Sequence, residues 1–219
     1  DKDLTTSKKL LQSLNLVVED IGRRVDKRHI AFNVSPENGR NGIALKGFVH
    51  FPQQKAAVLK ETRAFLASKK QSIPVVSRLR VLSTQTLAPA QVRVSAAAVR
   101  LEPCPTGEMG TQALFGSFLL CHFQKGDYIF ASTPCGYLGY VLKKDVISKT
   151  REDYIRWLNG PRCVLNDDIR IGKQLLPMGS ELAFENGRAL LPEGESPALP
   201  RGKVRYYNPS EDSRIASLL

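Results

Sequence analysis

Hydrophobic residues in the first third of the chain follow two different periods, and these predict its secondary structure. Apolar residues within 8–24 recur at helical spacing, and a second helix is expected to begin at Pro52. Residues 28–34 alternate as a strand does, and a turn rich in Asn and Gly predicts that they pair with 43–49 as a hairpin. A third strand is expected over 75–82. This order predicts an α+β domain with two helices on one face of a three-stranded sheet.

Two short motifs in this region resemble a BON-type domain. Asn38-Gly39 corresponds to the polar turn of that family, and Gly47-Phe48-Val49 corresponds to the strand end that follows it. The resemblance implies a BON-like domain over residues 1–86. It also implies the contact with lipid or polymer that has been proposed for that family in cell envelopes.

Residues 99–148 contain five short runs of aromatic and aliphatic residues, each bounded by Gly or Pro. Such runs are too closely spaced for helices and are typical of a small antiparallel barrel. The Ala-rich stretch before them, 87–98, is predicted to be a linker. Four motifs in this region resemble a bacterial SH3 domain. They are Val99-Arg100, Gln112-Ala113-Leu114-Phe115-Gly116, Gly126-Asp127-Tyr128-Ile129 and Cys135-Gly136-Tyr137-Leu138-Gly139-Tyr140-Val141.

The last third of the chain predicts a second barrel. Residues 151–158 are expected to form a brief helical turn, and the short strand-like runs after it indicate a second SH3-like domain over 149–206. In the tail, 207–219, Ser210 has the character of a helix N-terminus. Only nine residues follow Ser210, so we expect the chain to stop where a further domain begins.

The order of these regions resembles the N-terminal, non-catalytic part of a cell-wall cysteine peptidase of the NlpC/P60 family. The resemblance implies an exported protein of the bacterial periplasm or cell envelope, followed by a C-terminal peptidase domain that cleaves peptidoglycan stem peptides. The chain begins at Asp1 rather than Met, which suggests a processed or recombinant product. The partner implied is a stem peptide or another anionic polymer of the cell wall.

Charge and hydropathy favour other partners as well. The net charge is +11, which suits nucleic acid, anionic lipid or acidic cell-wall polymers. The densest basic pairs are Lys69-Lys70 and Lys143-Lys144, and Arg23-Arg24 and Lys27-Arg28 lie near the end of the first predicted helix. An alternative function is therefore a basic module that binds lipid or nucleic acid through surface charge. The sequence has no run of about 18 apolar residues, so no transmembrane segment is predicted.

Catalytic and metal-binding patterns are not found in the sequence. The four cysteines lack the C-x-x-C spacing of zinc sites. Cys121 and Cys135 are either a disulfide pair or two small buried residues, and both alternatives stay open. Cys121 and His122 are neighbours on an expected strand, so they point to opposite faces and do not form a catalytic dyad. No catalytic residue, metal or cofactor is predicted.

The candidate ligand-binding residues are aromatic. Tyr137 and Tyr140 lie on the expected closing strand of the first barrel, and Tyr128 lies on the strand before it. Tyrosine offers a flat apolar surface and a hydroxyl group for amides and sugars. Asp127 is expected to orient an ammonium or amide donor of a stem peptide. The competing interpretation is that these tyrosines only fill the barrel.

Overall fold

The structure is a computed structural model that describes residues 8–84, 86–200 and 202–209. The chain divides into two compact units, with the boundary between residues 85 and 86. The tail helix predicted at Ser210 lies outside the described residues. Among the helices described, none combines the length and the hydropathy needed to cross a lipid bilayer.

The first unit contains two helices and three strands. They are α1 (Lys8–Arg23), β1 (Phe32–Gly39), β2 (Gly42–Val49), α2 (Pro52–Ser68) and β3 (Val75–Val81). The sheet has the order β1-β2-β3. β1 is antiparallel to β2, and β3 is parallel to β2. The parallel pair requires a crossover connection, which α2 supplies.

The hairpin between β1 and β2 is tighter than the Asn- and Gly-rich stretch predicts. Gly39 pairs with Gly42, so only two residues form the turn. β1 continues through Pro36, which pairs with Leu45. A proline is tolerated there because β1 is an edge strand and one side of it needs no ladder hydrogen bonds. Pro36 therefore lies within an edge strand and does not end it.

The helical stripe of α1 and one face of α2 form the core of the first unit. Leu14 and Ile21 of α1 are buried, as are Val58 and Leu66 of α2. They pack in two clusters with strand residues, of which Leu45 is fully buried. Burying such side chains contributes about 1.5–3 kcal/mol each.

The second unit begins with a seven-stranded sheet. Its strands are β4 (Ala90–Val92), β5 (Ala96–Arg100), β6 (Met109–Leu114), β7 (Phe118–Lys125), β8 (Tyr128–Ser132), β9 (Leu138–Leu142) and β10 (Val146–Ser148). The order is β10-β4-β7-β8-β9-β5-β6. One face carries a core cluster of small and branched apolar residues. The stretch 87–98, predicted to be a linker, contributes β4 and part of β5 to this sheet.

A second group of strands follows a short helix. The elements are α3 (Arg151–Asn159), β11 (Arg162–Leu165), β12 (Ile169–Ile171), β13 (Gln174–Leu176), β14 (Glu181–Glu185), β15 (Arg188–Leu190) and β16 (Val204–Tyr207). They form a four-stranded sheet in the order β15-β14-β11-β16 and a separate pair, β12-β13. α3 begins with a capping box, in which the Thr150 hydroxyl accepts from the Asp153 N–H at 3.0 Å.

The two sheets of the second unit pack closely at Gly116. This glycine has a positive φ of 84°, and a methyl group there would overlap Leu182 of β14 and lie 3.0 Å from the Glu181 carbonyl oxygen. Phe115, next to it, is buried in the core cluster of the four-stranded sheet. Ser95 Oγ also donates to the Leu175 carbonyl oxygen at 2.8 Å. The seven-stranded sheet therefore covers part of the second core.

The predicted fold class is wrong for the molecule as a whole. We expected two helices on a three-stranded sheet followed by two small SH3-like barrels. The described residues instead form three helices, a large seven-stranded sheet and a four-stranded sheet with a detached pair. Neither large sheet closes: β10 and β6 stand at opposite ends of the first order, and a barrel requires its end strands to pair. The predicted domain boundaries stay predictions.

Candidate functional site

Two of the predicted tyrosines lie on one face of the seven-stranded sheet, opposite its core cluster. Tyr128 pairs with Leu142, and Phe130 pairs with Tyr140, so these side chains share a face. The rings of Phe130 and Tyr140 are 4.9 Å apart. Phe123 of β7 completes the group, with its ring 5.0 Å from Phe130. We call Phe123, Tyr128, Phe130 and Tyr140 the aromatic face, and all four are buried.

A β-bulge in β7 decides which residues join the aromatic face. Cys121 pairs with Ala131 and belongs to the core cluster, whereas Phe123 pairs with Phe130. The extra residue between them is His122, whose Nε2 lies 2.7 Å from Ser132 Oγ. Without the bulge, Phe123 would share the face of Cys121. Cys121 and His122 therefore point to different faces, as predicted, and they form no dyad.

Tyr137 stands in a different environment. It precedes β9, and its backbone is held by Thr133, whose hydroxyl accepts from the Tyr137 N–H at 2.9 Å. Its ring lies beside Gly110, where an added methyl group would be 2.9 Å from the ring and 3.1 Å from Leu101. Leu101 and Met109 are 46% and 50% exposed. Met109 precedes Gly110 in β6, which is a terminal strand of the seven-stranded sheet. We therefore call Leu101, Met109 and Tyr137 the edge patch.

The structure does not bring all four predicted site residues together. The β8–β9 ladder runs from the Tyr128–Leu142 pair to the Ser132–Leu138 pair. Asp127 precedes the first pair in an exposed turn, where its carbonyl oxygen accepts from the Lys143 N–H at 2.8 Å. Tyr137 precedes the residue of the last pair. Asp127 and Tyr137 therefore lie just beyond opposite ends of the ladder, about 20 Å of strand apart.

The thiols show little sign of activation. None of the four cysteines, all within the described residues, is in a disulfide. Burial raises the pKa of Cys121 and of Cys163 to about 11, so both are protonated at neutral pH. Cys135 is exposed, and its Sγ lies 3.2 Å from Thr133 Oγ. A threonine hydroxyl is not a base that could remove the thiol proton.

His50 forms a hydrogen bond to the backbone of the first unit. His50 Nδ1 accepts from the Ala31 N–H at 3.2 Å, and burial lowers the pKa of His50. The bond requires the neutral ring, so His50 stabilises the first unit as an acceptor.

Among the described residues, no three His, Cys, Asp or Glu side chains are grouped so that they could hold a metal ion.

The sequence signals for the aromatic face and the edge patch were incomplete. Phe123 and Phe130 were visible as strand residues, but the bulge that unites them leaves no mark in the hydrophobic pattern. Leu101 and Met109 flank a loop rich in Pro and Gly, and a single exposed apolar residue in such a loop is ordinary. Only the approach of Leu101 and Tyr137 to Gly110, the sequence neighbour of Met109, makes them a patch.

Comparisons with known proteins give limited information. No protein-family model matches the chain, and no curated protein matches it. The resemblances to BON-type and bacterial SH3 domains are therefore not supported.

Solved structures similar to this chain are NlpC/P60 proteins. One is an NlpC/P60 family protein from Bacillus cereus ATCC 10987, with 18% identity, a TM-score of 0.45, and coverage of 55% of this chain and 57% of that chain. An NlpC/P60 endopeptidase from Photobacterium damselae subsp. piscicida has 13% identity and a TM-score of 0.41, over 95% of this chain and 54% of that chain. NlpC1 from Trichomonas vaginalis has 13% identity and a TM-score of 0.25, over 57% and 66%. The chain thus spans little more than half of the first two proteins, and all three TM-scores are too low to establish a shared fold.

Proposed function

We propose that this chain is a non-catalytic module that binds the stem peptide of peptidoglycan and positions it for a peptidase domain. The observation that carries the proposal is the edge patch, where the Tyr137 ring and the exposed Leu101 side chain both lie close to Gly110 of β6. A tyrosine ring suits a ligand that combines small apolar side chains with amides and sugar hydroxyls. Peptidoglycan is the ligand chosen because solved structures similar to this chain are NlpC/P60 proteins, the family that the order of the predicted regions also resembles. The same resemblance supports an exported protein of the periplasm or cell envelope.

The position of β6 supports a peptide as the ligand. A terminal strand directs the backbone groups of alternate residues away from its one partner, and an extended peptide can pair with them. β6 pairs only with β5 among the described strands. A stem peptide bound along β6 would place its side chains beside Leu101 and Tyr137. The hydrogen bonds between the two backbones supply affinity, and the side chains of the edge patch select the ligand's side chains.

The remaining predicted residues have supporting roles in this proposal. Tyr128 and Tyr140 are buried in the aromatic face, where they hold β8 and β9 together and thereby fix the backbone that carries Tyr137. Asp127 is too far along the ladder to contact a ligand at the edge patch. Its proposed interaction with an ammonium or amide group would require a ligand that extends along the strands.

The alternative, a polyanion-binding module, is less well supported by the charges. Two residues of the basic pairs that motivated it, Arg24 and Arg28, form close ion pairs with carboxylates in the first unit. Arg24 Nη1 lies 2.9 Å from Glu61 Oε1, and Arg28 Nη2 lies 2.7 Å from Asp26 Oδ2. Pairs of this kind reduce the field that a phosphate backbone or a lipid headgroup would experience.

The test is a pull-down on purified peptidoglycan at low and high salt. We expect retention that survives high salt and falls about tenfold in Tyr137→Ala, because one aromatic anchor commonly accounts for this much affinity. Tyr206→Ala is the matched control, since Tyr206 is an exposed tyrosine of β16 on the other sheet. Its retention is expected to equal that of the wild type.

Two results would contradict the proposal. Equal retention of Tyr137→Ala and Tyr206→Ala would show that the edge patch does not bind the wall. Retention that disappears with salt in every variant would indicate counterion release and would favour the polyanion alternative.

A further inference from the structure

The second unit contains a cavity of about 220 Å³ that the sequence did not suggest. Its walls come from three elements: the seven-stranded sheet, α3 and the four-stranded sheet. We call it the α3 pocket. Pockets for drug-sized ligands measure about 300–1,000 Å³, so any ligand of the α3 pocket is smaller than these.

The interior of the α3 pocket is aromatic and apolar. Trp157 of α3 and Phe118 of β7 line it, and they are only 3% and 4% exposed. Their rings are 5.4 Å apart. Leu191 adds a buried branched side chain to the wall. The pocket therefore suits a compact apolar group.

One polar atom of a residue that lines the pocket has no partner among the described residues. Trp157 Nε1 is buried and makes no hydrogen bond to any residue that the structure describes. An unpaired buried donor costs about 1–3 kcal/mol, and native proteins rarely leave one without a reason. A ligand that brings an acceptor, such as a carbonyl oxygen, would satisfy it.

Two cationic residues and one anionic residue line the mouth of the pocket. Lys149 and Arg156 line it; Lys149 is half-buried and Arg156 is exposed. The third charged lining residue, Asp153, is engaged as the helix cap, since its carboxylate accepts from the Thr150 N–H at 3.1 Å. Arg156 lies 3.8 Å from Asp153 and 3.9 Å from Glu185. These distances exceed that of a hydrogen bond, so the guanidinium donors suit an incoming carboxylate.

The second arginine near the pocket has its charge matched. Arg162 lies over the Trp157 ring, with its guanidinium carbon 4.6 Å from the ring centre. It forms a 2.7 Å ion pair with Glu181. Arg162 therefore supports the tryptophan, and the attraction for an anion comes from Lys149 and Arg156.

From these features we propose that the α3 pocket binds a small carboxylate with a branched apolar body and a neighbouring carbonyl group. Two molecules share this chemistry: a free N-acyl amino acid, and the C-terminal residue of a peptide. In either case the carboxylate contacts Lys149 and Arg156, the side chain packs on Phe118, and the carbonyl accepts from Trp157. This site does not depend on the function proposed for the edge patch.

Trp157 makes the test direct, because it is the single tryptophan of the chain. Its fluorescence and its indole N–H signal in NMR report on the pocket alone. N-acetyl-leucine is the probe, and N-acetyl-leucinamide is the matched ligand that lacks the carboxylate. We expect a saturable change with the acid, with a dissociation constant in the millimolar range or tighter, and at least about tenfold weaker binding of the amide.

Surface variants separate specific binding from a general effect of charge. Arg156→Gln and Lys149→Gln are each expected to weaken N-acetyl-leucine by about tenfold. Arg151→Gln is the control, because Arg151 is an exposed residue of the same helix that does not line the pocket. It removes the same charge and is expected to leave binding unchanged. Arg151 and Arg156 are exposed, and substitutions of such residues leave folding intact.

The proposal is overturned if the acid and the amide bind equally, or if Arg151→Gln weakens binding as much as Arg156→Gln. It is also overturned if the Trp157 signal shows no saturable change. A longer peptide, N-acetyl-Gly-Gly-Gly-Leu, distinguishes the two sources of the ligand. Binding as tight as that of N-acetyl-leucine identifies a peptide end, and weaker binding identifies a free N-acyl amino acid.

Discussion

Tyr137 and Tyr140 are three positions apart, yet they occupy opposite kinds of environment. Tyr140 is buried and packs edge-on to Phe123, with ring centres 6.2 Å apart, and close to Phe130. Tyr137 precedes the strand, and its ring lies beside Gly110 and close to the exposed Leu101. The same side chain therefore stabilises a sheet at one position and presents a surface at the other. The residue type allows both roles, and the strand register and the neighbouring residues determine which one a given tyrosine has.

The largest effect on stability is expected from Tyr140→Ala. Truncation removes the contacts with Phe123 and Phe130 and leaves a cavity, so the free energy of unfolding should fall by about 3–5 kcal/mol. Urea unfolding followed by Trp157 fluorescence measures this, because Trp157 lies in the same unit. Tyr137→Ala should lower the same free energy by only about 1 kcal/mol. Equal losses in the two variants would remove the distinction between the aromatic face and the edge patch.

A smaller effect is expected from Gly116→Ala, which changes neither tyrosine. The residue has a positive φ, and its new methyl group would overlap Leu182 of the neighbouring sheet. The unfolding free energy should fall by about 2–4 kcal/mol. Gly126→Ala is the control, because Gly126 has a φ of 58° and no atom within 4 Å of the added carbon. It should cost about 1 kcal/mol. Similar losses would mean that the two sheets adjust freely at Gly116.

Thiol labelling compares the two environments without any substitution. Cys121 is buried beside the bulge, and burial raises its thiol pKa to about 11. Cys135, two residues before Tyr137, is exposed. At pH 8 an aromatic disulfide reagent should modify Cys135 within minutes and Cys121 only after denaturation, since the thiolate is the reactive form. Peptide mapping identifies the sites. Rapid labelling of Cys121 in the native protein would show that the core cluster opens.

Much of the secondary structure followed from local pattern. The spacing of apolar residues predicted a helix within 8–24, and Pro52 predicted the start of a second one. The structure has α1 at Lys8–Arg23 and begins α2 at Pro52. Both signals are local in the sequence, since helix amphipathicity is a short-range property. The helical turn at 151–158 corresponds to α3, whose capping box is also local. The strand at Val204–Tyr207 was not predicted, since a strand of four residues with one buried position has little periodicity.

Strand pairing and the candidate sites were decided by contacts between distant residues. The hydrophobic pattern marked short strands in 99–148, but it did not reveal that Ala90–Val92 joins them or that the end strands stay unpaired. It also gave no sign of the bulge at His122 or of the α3 pocket, whose walls combine residues from 91 to 194. Hydrophobicity records whether a residue is buried. It does not predict which residues pack against that residue. A binding site depends on such contacts between residues that are distant in the sequence.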